Sequence, residues 1–326
     1  MAEQLSLFGD ENTLFNTGLQ QLFEMDFARC LETLGRYRKL FPWGRDPSKE
    51  IAISEFWLER LQSANRANVQ PAEAERRYHL WLEFEETFGH PWPEKSLERD
   101  LQIQYFSRIA DGLAKSEHGK AAKLPGGTPT GLMYLLAGRP DSAIASLQVL
   151  IAAEPEHARA YGYLGDAYAL SNDLRTARIC YREALTMALG QVDIAHLHDS
   201  ELRERLEAFE RKEGVDSDPL GWFPTIAQLD GFFERRIFRE LEGFREWLKR
   251  YIDLFKTYGR DGDKAHVPRL FYHAMVLSDN ASIMRFTKKV DLIDVRKRMK
   301  EWHPALFARH MRELEKIDSR SKRYLF

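Results

Sequence analysis

A repeat with a period of 34 residues in the middle of the chain sets the strongest limit on its fold. A period of this length is typical of arrays of short supersecondary units, in which each unit covers the apolar face of the next. Similar units are therefore expected side by side in this region. The equivalent residues are Gly131 and Gly165, Tyr134 and Tyr168, Ala143 and Ala177, and Leu147 and Tyr181.

Each unit has the residues of a helical hairpin. A glycine at 165 and an alanine at 177 let two helices approach closely, and Tyr168 and Tyr181 fill the space beside them. The Asn-Asp dipeptide at 172–173 is typical of a tight turn between two helices. The pattern predicts paired helices joined by short turns.

Residues 124–188 resemble the tetratricopeptide repeat (TPR) family. A weaker third copy falls on residues 12–45, with Gly18 in register but Cys30 and Tyr37 where the family has alanine. The resemblance implies a superhelical array of helix pairs whose inner groove holds an extended segment of a partner protein. The residues that carry it are Leu164, Gly165 and Tyr168 in the sequence LGDAY, followed by Ala177, Tyr181 and Ala184, with Pro155 closing the first unit.

The register of the family also implies which residues face the groove. None of them forms a basic clamp for a carboxylate, so an apolar or basic peptide is the expected ligand. The alternative is that helices after residue 191 fill this apolar surface. The expected groove residues are Leu132, Leu135 and Leu136 on one helix, and Gly162, Asp166 and Ala169 on the next.

Helical spacing of apolar residues extends over most of the remaining chain, with glycine and proline between the periodic segments. The expected fold is all-α: an α-solenoid of TPR-like helix pairs with further helical blocks at both ends. One helix is expected over residues 227–258, and another from about residue 292, with Pro304 starting a new helix or kinking this one. The expected divisions are a flexible tail at 1–11, a helical block with a degenerate repeat at 12–122, a TPR pair at 123–190 and a C-terminal helical block at 191–326.

The pentapeptide QLSLF at residues 4–8 resembles the motif by which bacterial replication and repair proteins bind the DNA sliding clamp. In an extended peptide, Leu7 and Phe8 would enter an apolar pocket with Leu5 beside them, while the Gln4 amide fixes orientation and Ser6 completes the motif. The alternatives are that the three apolar residues fold onto the first helix or that the tail is disordered. The function expected from these features is a non-catalytic protein-binding adaptor or scaffold, tethered to the clamp.

Composition limits the other classes of function. The net charge is −2, so the whole chain is not drawn to nucleic acid or acidic lipid. The two cysteines, Cys30 and Cys180, suit reduced thiols better than a disulfide framework. No apolar run reaches the roughly 18 residues of a membrane helix, and no secretory signal pattern is present. A cytoplasmic protein without a membrane partner is expected.

Nucleic-acid binding and catalysis are the two alternatives to the adaptor. The segment 285–326 has thirteen Lys or Arg against six acidic residues, a local charge of +7 that could follow a phosphate backbone, although a solvated helix face is the commoner reason. An enzyme would need polar groups to converge around residues such as His266, Arg269, Tyr272 and His273.

Metal and cofactor binding are not expected. In the sequence HLHD, His196 and His198 are two positions apart and point to different sides of a helix, while His79 and Glu83 have helical spacing but no third ligand. The segment GGTPTG at 126–131 lacks the lysine and preceding strand of a phosphate-binding loop. The sequence therefore indicates no catalytic residue, no metal site and no cofactor.

Overall fold

The computed structural model describes residues 2–61, 70–89, 96–116, 121–194, 197–211, 220–259, 264–287 and 289–323, with no description of the side chains of 2–9, 189 and 318–323. All regular elements in these ranges are helices, apart from one isolated β-bridge between Lys123 and Pro129, which confirms the all-α class. Two short 3-10 helices span Leu189–Gln191 and Leu220–Trp222. The α-helices are α1 (Ala2–Phe23), α2 (Phe27–Leu40), α3 (Ser48–Leu61), α4 (Pro71–Phe88), α5 (Leu97–Lys115), α6 (Thr130–Leu136), α7 (Pro140–Ala153), α8 (Ala158–Leu170), α9 (Leu174–Ala188), α10 (Ser200–Glu210), α11 (Phe223–Leu229), α12 (Leu241–Tyr258), α13 (Val267–Asp279), α14 (Ala281–Met284), α15 (Leu292–Trp302) and α16 (Pro304–Arg323).

The chain divides into two compact units, an N-terminal unit of Met1–Ala153 and a C-terminal unit of Glu154–Phe326. The boundary falls between α7 and α8, inside the segment 123–190 that the sequence predicts as one repeat pair. The first helix begins at Ala2, so the backbone of residues 4–8 is helical. The sequence had led us to expect a flexible tail there.

Three helical hairpins, α1–α2, α6–α7 and α8–α9, turn through the same backbone motif. In each hairpin, the residue two positions before the second helix has a positive φ. The values are 59° at Met25, 68° at Gly138 and 65° at Asn172. The amide of the residue that follows bonds the carbonyl five positions earlier, at 2.9 Å in all three hairpins. This is a Schellman motif, which satisfies the last carbonyls of a helix and reverses the chain.

The same three hairpins each have a glycine seven positions before that turn residue. A Cβ at this glycine would overlap a large buried side chain of the second helix, so only glycine lets the two helices lie this close. A Cβ placed on Gly18 would lie 2.7 Å from Leu34 Cγ. One placed on Gly131 would lie 2.5 Å from Leu147 Cγ, and one placed on Gly165 would lie 2.5 Å from Tyr181 Cε1. The small positions Cys30, Ala143 and Ala177 are all fully buried in the same hairpins.

Aromatic residues form the core of the N-terminal unit. Trp57 lies at its centre, with ring centroids 5.9 Å from Trp81, 5.3 Å from Phe84 and 4.8 Å from Tyr105. The Tyr105 hydroxyl donates to the Arg77 carbonyl at 2.8 Å, which satisfies the polar end of a buried side chain. These contacts join α3, α4 and α5 through interlocking rings.

A carboxylate holds the loop that precedes α6. Glu75 on α4 accepts hydrogen bonds from the Gly126 amide at 2.9 Å and the Thr128 hydroxyl at 2.5 Å. The Thr130 hydroxyl donates to the Ala121 carbonyl at 2.7 Å. The glycine-rich segment is therefore a structural entry into α6.

The helix expected over residues 227–258 is two helices, so that prediction is wrong. α11 ends at Leu229 and α12 begins at Leu241, with Gly231 at a φ of 78° in between. The Asn280 side chain accepts from the Phe238 amide and donates to the Arg236 carbonyl, both at 2.8 Å. These bonds hold the intervening segment in an irregular conformation. As expected, Pro304 starts a new helix, α16.

Candidate partner-binding site

The groove residues expected on α6 are buried. Leu132, Leu135 and Leu136 each keep 5% or less of their surface exposed. Helix α5 packs against α6 within the N-terminal unit. These three leucines therefore contribute to the core of this unit, and a peptide would not reach them in this conformation.

The groove residues expected on α8 are also covered, by the segment that follows α9. Asp166 is 1% exposed and accepts from the Tyr181 hydroxyl at 2.6 Å and from the His198 amide at 2.9 Å. A Cβ at the buried Gly162 would lie 3.6 Å from Val192, and Ala169 is half-buried. This arrangement matches the alternative in which residues after 191 fill the surface.

The covering segment is held by an ion pair between a half-buried arginine and a buried aspartate. Arg178 on α9 donates to the Asp199 carboxylate at 2.7 Å, and Asp199 caps α10 by accepting from the Leu202 amide at 3.1 Å. Burial and the neighbouring Asp166 carboxylate raise the pKa of Tyr181, so its hydroxyl stays protonated and donates. The polar residues of this region thus have structural partners.

The N-terminal pentapeptide precedes Glu11, a residue whose side chain holds α1 in place. The side chains of Gln4, Leu5, Ser6, Leu7 and Phe8 lie outside the described part of the structure, so the clamp-binding motif stays a prediction. Glu11 accepts from the Tyr37 hydroxyl at 3.2 Å, and the rings of Phe15 and Tyr37 meet edge to face at 5.2 Å. These contacts fix α1 from Glu11 onward.

Trp43 is an exposed residue that the sequence analysis did not single out. It lies in the loop between α2 and α3 with 71% of its surface exposed, and Leu40, the last residue of α2, is 51% exposed. Other aromatic residues of the loop region are buried, and the sequence pattern alone does not distinguish them from Trp43.

The loop that displays Trp43 is fixed at several points. The Gly44 amide donates to the Phe41 carbonyl at 3.0 Å, and a Cβ on Gly44 would overlap the Tyr37 hydroxyl and Glu11. Arg45 lies over the Phe15 ring at 4.5 Å and donates to the buried Glu50 at 3.2 Å. The indole is therefore presented from an ordered backbone.

The residues suggested for catalysis pack as structural groups. The His273 ring stacks on Trp247 with centroids 4.4 Å apart, and its Nδ1 donates to the Arg269 carbonyl at 2.9 Å. Burial lowers the pKa of His273 to about 3 and leaves it neutral at pH 7. The Tyr272 hydroxyl donates to Gln228 at 3.1 Å inside the core.

No group of three or more metal-ligating side chains comes together among the residues that the structure describes. His198 lies beside Asp166, with 3.6 Å between His198 Nδ1 and the carboxylate, and His196 is outside the described residues. His79 is 4.0 Å from Glu75, not paired with Glu83.

Several cations of the basic C-terminal segment have internal partners. Arg296 donates to the Ser278 hydroxyl at 3.0 Å, the Arg298 guanidinium lies 3.7 Å from the centre of the Phe255 ring, and Arg309 pairs with Asp230. The positive charge counted from the sequence is therefore partly used within the C-terminal unit, which weakens the case for a phosphate-binding face.

Comparisons with protein-family models, curated proteins and solved structures give no match. Within the described ranges, none of the helices has the length and apolar character needed to cross a membrane.

Proposed function

We propose that this chain is a non-catalytic protein-binding adaptor built on TPR-like helical hairpins. The observation that supports it is the common geometry of α1–α2, α6–α7 and α8–α9: the same turn, and the same glycine against the same position of the second helix. Repeated hairpins of this kind serve in many proteins as scaffolds for binding extended partners. The partner would bind outside the filled groove positions, since those are buried.

We further propose that residues 4–8 tether the chain to a bacterial DNA sliding clamp. The pentapeptide precedes Glu11, which accepts from the Tyr37 hydroxyl at 3.2 Å and holds α1 against α2. Docking as an extended peptide requires the first turns of α1 to unwind. Helix ends open at a low free-energy cost, and the ordering of a short peptide limits the affinity to a moderate value.

The test is direct binding of a purified bacterial sliding clamp to the full chain. Replacing Leu7 and Phe8 with alanine should abolish binding and leave the melting temperature unchanged. The matched control is the double variant Val149→Ala with Leu174→Ala, which truncates two apolar residues that are 58% and 42% exposed. Clamp binding that survives the loss of Leu7 and Phe8 would rule out the tether.

A further inference from the structure

Two arginines of the C-terminal unit, Arg250 on α12 and Arg269 on α13, are half-buried without a carboxylate beside them. Neither side chain forms a hydrogen bond or an ion pair within the described part of the chain. The Arg269 Nε atom is buried and has no hydrogen-bond partner there. A guanidinium group that is partly removed from water is normally paired, because an unpaired buried charge is costly.

Other arginines of the same unit with comparable burial have such partners. Arg178 donates to Asp199 at 2.7 Å, and Arg236 pairs with Glu183 at 2.7 Å. The carboxylates that pair with these arginines come from within the unit. The two arginines on α12 and α13 therefore differ from the arginines that stabilise the fold.

Two aromatic stacks show how α12 and α13 lie against each other. The Trp247 and His273 rings stack with centroids 4.4 Å apart, and the Tyr258 and His266 rings stack at 3.7 Å. The first contact joins the middle of α12 to the middle of α13, and the second joins the end of α12 to the start of α13. The two helices are therefore antiparallel neighbours.

This arrangement brings the two arginines together. Arg250 follows Trp247 by three residues, about 4.5 Å along its helix, and Arg269 precedes His273 by four, about 6 Å. Residues three or four apart share a helix face, so both arginines lie on the faces that hold the stacked rings. Because the helices are antiparallel, both steps lead in the same direction, and the arginines lie side by side between the two stacks.

The electrostatics agree with this geometry. Burial lowers the pKa of Arg269, an effect that the exposed Glu156 opposes and that Arg250 increases. Glu156 forms no ion pair with Arg269 in the described ranges. Two like charges are thus held close together in a partly dehydrated place, where their repulsion is stronger than in water.

A hydroxyl group lies in the field of the same arginines. Tyr161 on α8 is half-buried, and its hydroxyl has no hydrogen-bond partner among the residues that the structure describes. Burial raises the pKa of Tyr161, while Arg250 acts on it in the opposite direction. The hydroxyl is protonated at neutral pH and can donate a hydrogen bond.

We infer that Arg250, Arg269 and the Tyr161 hydroxyl bind a phosphate group where α12 packs on α13. The planar guanidinium group offers several N–H donors that match phosphate oxygens. Two guanidinium groups also balance the charge of a phosphate monoester, which is about −1.5 to −2 at pH 7. A carboxylate would neutralise one of the two cations. This site is additional to the proposed adaptor function and does not depend on it.

The experiment follows the melting temperature of the full chain during a titration with inorganic phosphate at constant ionic strength, which gives an apparent Kd. Arg250→Gln and Arg269→Gln should each weaken phosphate binding by about tenfold or more, because each removes charge-assisted hydrogen bonds. Tyr161→Phe removes a neutral donor and should weaken binding by a smaller factor. The same titrations with O-phosphoserine and with adenosine monophosphate distinguish a phosphorylated side chain from a nucleotide as the source of the phosphate.

Urea unfolding without phosphate separates a binding role from a structural one. Arg250→Gln and Arg269→Gln should leave the midpoint unchanged or raise it, since each relieves the repulsion between the two cations. Arg178→Gln should lower the midpoint, because it leaves the buried Asp199 without its partner.

The control for phosphate binding is Arg245→Gln, which removes an exposed arginine of α12 and should bind phosphate as the wild type does. Equal phosphate affinity in the wild type, Arg250→Gln and Arg269→Gln would overturn the inference. So would a wild-type chain that does not respond to phosphate, or one that binds acetate as tightly. None of these results bears on binding to the sliding clamp, so the proposed function is tested separately.

Discussion

The buried His273 in the C-terminal unit serves the fold, because its ring has specific structural neighbours. His273 is 3% exposed and lies between the Trp247 ring and the Arg269 carbonyl. A charged imidazole there would be stripped of water without gaining a carboxylate, so the neutral form is favoured. Because His273 is next to Tyr272 in the sequence, it was considered as part of a possible catalytic site. The packing that decides its role comes from a residue 26 positions away, which the local sequence does not show.

This burial predicts a loss of stability in mild acid. The unfolded histidine has its ordinary pKa of 6.5 and the folded one a pKa of about 3, so the unfolded state binds more protons between these values. The contribution of His273 to the free energy of unfolding is therefore fully present above pH 6.5 and is lost as the pH drops toward 3. Between pH 7 and pH 5, protonation of this histidine in the unfolded state should lower the free energy of unfolding by about 2 kcal/mol.

The measurement is urea unfolding of the wild type and His273→Phe at both pH values. Phenylalanine keeps the stacking on Trp247 but does not titrate, so the variant should lose about 2 kcal/mol less than the wild type. Asp279, whose pKa burial raises to about 6, titrates in both proteins and cancels in the comparison. The exposed His79 gives the control, since His79→Phe should behave as the wild type. Equal losses in the wild type and His273→Phe would contradict the argument.

At the scale of helices, local sequence predicts what depends on local spacing. The turn at Asn172 and the start of α16 at Pro304 follow from the sequence, because asparagine and proline act on the backbone at their own positions. The same turn at Met25 has no such residue. The break between α11 and α12 was not predictable in this way. Phe232 and Ile237 have helical spacing, but the bonds that hold this segment come from Asn280, 42 to 44 positions later.

The hairpin geometry predicts opposite effects for two glycines of α1 and α2. A Cβ at Gly18 would lie 2.7 Å from Cγ of the fully buried Leu34, so Gly18→Ala should lower stability by about 1–3 kcal/mol. At Gly35 in α2 nothing lies within 4 Å of an added Cβ. Gly35→Ala should therefore raise stability by about 0.5–1 kcal/mol, because alanine favours the helix.

Urea midpoints of the two single variants and the wild type check this prediction. Each variant adds the same methyl group to a helical glycine, so the pair separates the cost of overlap from the gain in helix propensity. An unchanged or higher midpoint for Gly18→Ala would show that Gly18 does not set the distance between α1 and α2, and a lower midpoint for Gly35→Ala would contradict the expected gain in helix propensity.

For the whole molecule, the sequence predicts how much helix there is but not where one compact unit ends. The 34-residue period favours residues 123–190 as one repeat pair, whereas the compact units meet between residues 153 and 154. The site was predictable to the same degree. Asp166 was expected in a groove, yet it is covered by a segment 32 positions later, and the exposure of Trp43 depends on how a loop is held. A sequence period shows that two segments are similar. It does not show which residues are buried, because burial depends on contacts between segments that are far apart in the sequence.

The two descriptions of the chain predict different behaviour for separated fragments. Fragments 1–153 and 154–326 each contain a complete aromatic core, so both should keep a helical circular dichroism signal and unfold cooperatively. The fragment 123–190 should not. It lacks α5, which packs on α6, and it lacks Leu197 and Phe233, which share the core of Tyr181. A helix pair without these neighbours leaves apolar surface exposed to water. Cooperative unfolding of 123–190, together with its loss in 1–153 or 154–326, would favour the repeat pair as the folding unit.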